Sequence, residues 1–110
     1  MKSQQKTAAP AHLDAAGRGL WAAVTSEFIV DDAAGRALLT LACEALDRCR
    51  QAQAVLRESG LTVTDQRGAL KAHPCVAVER DAWGVVQRAL RQLDLSPEIV
   101  AKPGRPATRR

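Results

Sequence analysis

Along most of the chain the apolar positions recur at helical spacing, and in one stretch they switch to alternation. Leu13, Leu20, Trp21, Val24 and Phe28 share a helical face, which predicts a first helix from His12 or Leu13 to Phe28. Gly17 and Gly19 weaken its first half by up to about 1 kcal/mol each relative to alanine. They mark either a close approach by another helix or by DNA, or simply a weak helix start. Ile29-Val30 is a short link, and Asp31 or Asp32 supplies an N-cap carboxylate for a second helix. That helix runs to about Ser59, a length of about 40 Å at 1.5 Å per residue. Its stripe is Leu38, Leu41, Ala42, Ala45, Cys49, Ala52 and Leu56, widened by Leu46 and Val55. Glu44 and Arg48 form a favourable i,i+4 pair on it. A third helix, from Pro74 to about Asp94, carries Val78, Ala82, Val85, Val86, Ala89 and Leu93 and packs antiparallel on the second. Ser96 as N-cap and Pro97 at the first position open a short fourth helix.

Between the second and third helices the period changes. Gly60 stands where a left-handed C-cap is needed, and Leu61 to Thr64 alternate β-formers. Asp65-Gln66-Arg67-Gly68 is a turn in which Gly68 takes positive φ, and Ala69-Leu70-Lys71 returns antiparallel. His73-Pro74 restarts a helix, with His73 ordering the turn. The predicted fold is mainly α: a long antiparallel helical hairpin interrupted by a small β-hairpin, with a preceding N-terminal helix and a short C-terminal helix.

Charge changes the picture more than composition does. Hydrophobic residues make up 46% of the 110 residues and aromatics only 3%, so the core is built from small aliphatic side chains and some apolar faces are left for neighbouring subunits. The formal net charge is +4. Lys2 and Lys6 lie in the first ten residues, and Lys102, Arg105, Arg109 and Arg110 in the last ten; the remaining ten basic residues face twelve acidic ones, so the part between is net −2. Residues 1–10 and 102–110 therefore read as disordered basic arms flanking a helical domain over 11–101. Such arms either meet nucleic acid or keep the chain in solution. No signal peptide or long apolar run points to export or a membrane. The three cysteines, Cys43, Cys49 and Cys75, lack disulfide-framework spacing and suit a reducing compartment.

The order and spacing of Gly60, Leu61, Gly68, Lys71, His73 and Pro74, followed by Leu93, Leu95, Ser96 and Pro97, resemble the phage terminase small subunit family over residues 13–98. Two departures stand out. Asp94 occupies a position where family members usually carry glycine, and Glu98-Ile99-Val100 stands where a Ser-x-Arg-like run often follows the proline. The resemblance implies a non-enzymatic, ring-forming subunit in the cytoplasm of the bacterial host. It would bind double-stranded viral DNA and hand it to a large terminase subunit that holds the ATPase and nuclease. The DNA-binding candidates are the six arm residues named above, with Arg18, Arg36, Arg67 and Lys71 as secondary ones. Trp83, at the edge of the third helix's stripe, reads either as a core-edge residue or as a subunit contact.

No catalytic constellation competes with that reading. His73 and Cys75 are two residues apart, and Cys43 and Cys49 lie about 600° apart around a helix, so neither pair has zinc-ligand spacing. Phosphate-loop and dinucleotide signatures are missing, and neither metal nor cofactor is expected. Two other functions remain open. A dimeric helix-turn-helix regulator would use the first two helices, but the second begins Asp-Asp-Ala-Ala-Gly, which repels phosphate. A protein-interaction module such as an antitoxin would bind one protein partner and no DNA.

Overall fold

The computed structural model describes residues 8–101. In order come α1 (Ala15–Glu27), α2 (Ala33–Ser59), β1 (Thr62–Thr64), β2 (Leu70–Ala72), α3 (Pro74–Gln92) and α4 (Glu98–Ala101). The chain is mainly helical, with a two-stranded antiparallel ribbon between the two long helices. The expected terminal helix sections at 94–95 and 12–14 are not helical. Lys102 and Arg105 to Arg110, like Lys2 and Lys6, lie outside the described residues.

Each boundary has a local cause. Asp32, rather than Asp31, caps α2 by accepting from the Gly35 amide at 3.2 Å. Gly60 ends α2 with φ 84° and ψ 173°. The positive φ was expected, but the ψ lies outside the left-handed helical region, in a region that glycine alone occupies readily. His73 Nδ1 accepts from the Cys75 amide at 3.0 Å, and Pro74 follows at the first turn of α3. At the other end of α3 the Leu95 amide donates to Leu90 O and the Asp94 amide to Arg91 O. This is a Schellman motif, and Asp94 sits in its left-handed position with φ 65°. Ser96 Oγ accepts from the Glu98 amide at 3.2 Å, and α4 begins at Glu98, one residue after Pro97.

In the ribbon Thr62 pairs with Ala72, Val63 with Lys71 and Thr64 with Leu70. Asp65 organises the turn, its carboxylate accepting from the Arg67 and Ala69 amides at 2.8 and 2.9 Å. Gly68 has φ 85°.

The core gathers at one end of the α2–α3 pair. Leu20, Trp21 and Val24 of α1 meet Leu39, Ala42, Cys43 and Leu46 of α2, Val86, Ala89 and Leu90 of α3, and Val100 of α4. Leu39, Cys43 and Leu90, left out of the predicted stripes, are all fully buried. Leu41, Val55 and Val78, counted in those stripes, are 47%, 41% and 38% exposed. The reason is geometrical. α2 packs against α3 on one side and α1 on another, so its buried surface is centred between the two and Leu41 and Val55 fall beyond it. The ribbon end has no third helix, and Leu61 and Leu70 stand 65% and 72% exposed there. The longest dimension is 63 Å.

Candidate functional site

Asp47 is the one buried charged residue among those described, 7% exposed. Its Oδ2 accepts from the Asp14 amide at 2.8 Å and its Oδ1 from the Gly17 amide at 2.7 Å. These are free donors at the start of α1, where Asp14 itself makes no side-chain cap. α2 thus supplies the cap of α1 across the interface, and the helix dipole adds to the attraction. Only glycine fits at position 17, because a Cβ there would lie 2.5 Å from Asp47 Oδ2 and 2.9 Å from the Cys43 carbonyl oxygen. Of the two meanings left open for Gly17, the structure selects close approach by a helix.

Three further contacts fasten the segment before α1. His12 Nε2 lies 2.7 Å from Glu44 Oε2, Gln51 Nε2 donates to Asp14 Oδ2 at 3.0 Å, and Arg18 Nη2 donates to Ala11 O at 2.8 Å. Glu44 therefore pairs with His12 rather than with the expected Arg48. At the other end of the chain, Ile99 and Val100 face α1, Leu46 and Arg50 across a groove. The described segments leading to both basic termini are thus rooted near the middle of α2, around residues 44–51.

The secondary basic candidates are not gathered in one patch. Arg18 and its Ala11 bond belong to α1, and Arg36 is half-buried in the first turn of α2. Arg67 and Lys71 are exposed on the ribbon. Asp31 and Asp32, both exposed, stand ahead of α2, where a recognition helix would meet phosphate. Trp83 is half-buried against the core and lines a groove of about 480 Å³ with Arg50 and Arg80. Sequence spacing alone does not reveal that arginine pair. It joins Arg80 to Trp83 on one face of α3, but Arg50 comes from α2.

The cysteines offer no reactive thiol in the core. Burial, with smaller contributions from Asp47 and Glu44, pushes the Cys43 thiol up to about 12, and burial raises that of Cys49 as well. Among the described residues no group of three or more His, Cys, Asp or Glu could hold a metal ion, and no helix is long and apolar enough to cross a membrane.

A sequence model of the phage terminase small subunit matches residues 18–108. The chain belongs to that family. No curated protein and no solved structure matches it. The match extends ten residues beyond the C-terminal limit of the resemblance seen in the sequence and includes α4 and most of the basic C-terminal segment. The Schellman motif also accounts for the departure at Asp94. A left-handed position favours glycine, and aspartate is among the few other residues that tolerate it.

Proposed function

We propose that this small terminase subunit assembles into a ring, binds double-stranded viral DNA through its basic terminal arms and presents it to the large ATPase-nuclease subunit in the host cytoplasm. The observation that carries the reading is the charge distribution. Lys2, Lys6, Lys102, Arg105, Arg109 and Arg110 flank a part that is net −2. A ring multiplies those arms by its copy number, and the common rooting of both ends near the middle of α2 favours their acting on one duplex. The subunit contributes no chemistry of its own and acts by marking and positioning DNA. Arg67 and Lys71 on the ribbon are secondary contacts, and Trp83 between Arg50 and Arg80 is a contact for a neighbouring subunit.

The test is a DNA titration at several salt concentrations on the full chain and on a chain lacking residues 102–110. That deletion removes four basic residues. Affinity should fall, and the salt slope should flatten by about 0.9 for each phosphate no longer neutralised, while assembly is retained. Equal affinity and equal slope in both proteins would assign binding to the helical body.

A further inference from the structure

We propose that the Phe28–Ile29 corner of one copy seats in the groove between α1 and α4 of the next, a head-to-tail contact that rests on the assembly reading above. The groove has a volume of about 720 Å³ and is walled by Ala15, Gly19, Ala22 and Ala23 of α1, Leu46 of α2 and Ile99 of α4. Gly19 adds no neighbour within 4 Å of where a Cβ would be, so this wall is open as well as shallow. Small residues on one wall let a bulky side chain from elsewhere approach the helix backbone.

The same chain carries a fitting knob. Phe28 is 44% exposed and Ile29 88%, the most exposed of its large apolar side chains. The link is fixed at both sides, by the Phe28 amide bonded to Val24 O at 2.8 Å and by Val30 packed against the core. Its two bulky side chains therefore stay outside their own groove and are available to a neighbour. Charge favours this occupant. Glu27, Asp31 and Asp32 surround the corner, and Arg50 lines the groove, with Glu27 at its far end. The other exposed apolar pair, Leu61 and Leu70, sits on a ribbon carrying Arg67 and Lys71, which would bring like charge against Arg50. Knob and groove are different patches, so each copy gives one and receives one. Such a heterologous contact closes into a ring when the rotation fits.

The experiment is sedimentation velocity at micromolar concentration on the full chain, on Ile29→Asp, on Gly19→Leu and on an equimolar mixture of the two variants. Ile29→Asp alters an exposed link residue and Gly19→Leu builds into open space, so circular dichroism should show both folded. Ala22→Leu, on the same wall, repeats the second arm if Gly19→Leu is not. Each variant alone should associate more weakly by roughly tenfold or more in Kd, the loss expected for removing a buried interface anchor. The mixture should form a one-to-one pair that grows no further, because only the knob of the Gly19→Leu chain and the groove of the Ile29→Asp chain remain compatible. Wild-type assembly by either folded variant, or a mixture that stays monomeric, overturns this contact alone. If Leu70→Asp abolishes assembly while Ile29→Asp keeps it, the interface moves to the ribbon and the contact is again overturned. A monomeric wild-type chain refutes the assembly reading itself, and this contact with it.

Discussion

Gly17→Ala and Gly19→Ala should change stability in opposite directions, although they are the same substitution two residues apart in one helix. On an exposed helical surface, replacing glycine by alanine stabilises by up to about 1 kcal/mol. Gly19 has that environment, with nothing within 4 Å of an added Cβ. At Gly17 the Cβ would meet Asp47 Oδ2 at 2.5 Å and the Cys43 carbonyl oxygen at 2.9 Å. The carboxylate could swing away only by giving up its bonds to the Asp14 and Gly17 amides. The carbonyl is α2 backbone and can yield only if the helices separate. Overpacking of this kind costs roughly 1–3 kcal/mol, and weakening a hydrogen bond to a charged acceptor roughly 1.5–3 kcal/mol. After the propensity gain is subtracted, Gly17→Ala should destabilise by about 2–3 kcal/mol. Urea unfolding at one fixed protein concentration measures both variants, with the m-value checking that the transition is unchanged in kind. A Gly17→Ala chain as stable as the parent, or more stable, would refute the cross-helix cap.

Three further outcomes follow from local geometry. Gly60→Asn should lose as much stability as Gly60→Ala, because at φ 84° and ψ 173° asparagine's tolerance of the left-handed helical region is of no use; a thermal melt in which asparagine rescues the variant would contradict that backbone state. Asp94→Gly should raise stability by about 1 kcal/mol by relieving a side chain at φ 65°, and an unchanged melting temperature would show that the aspartate is held there without strain. Folding keeps the Cys43 thiol protonated up to about 12, against 9.0 as its ordinary value. Its contribution to stability is therefore complete below pH 9 and lost as pH rises towards 12, by up to about 1.4 kcal/mol per unit. Urea midpoints against pH should fall less steeply in Cys43→Ala, and equal slopes would remove Cys43 from the alkaline transition.

Local signals carried the fold. Gly60, Asp65, Gly68, His73-Pro74 and Ser96 are each a backbone requirement met within a few residues, so the ribbon between two long helices is legible in the sequence alone. The phase of the apolar stripes was less legible. A helix with two partners at different angles buries a wider arc than one stripe describes, and that arc took in Leu39 and Cys43 while leaving Leu41 and Val55 outside. Asp47 was invisible for a related reason. A carboxylate in mid-helix reads as solvated, and its partners lie 33 and 30 residues away in sequence. The two glycines of α1 posed the question without choosing between answers. Tertiary contact separated them, Gly17 facing α2 and Gly19 facing the open groove. The groove likewise depends on α4 returning to α1, which no periodicity within either helix contains.

Assembly is the claim on which the proposed function turns, and native mass spectrometry of the full chain at micromolar concentration tests it most directly. The account predicts a single closed species of more than four copies of the 11.8 kDa chain. A monodisperse monomer or dimer would contradict it.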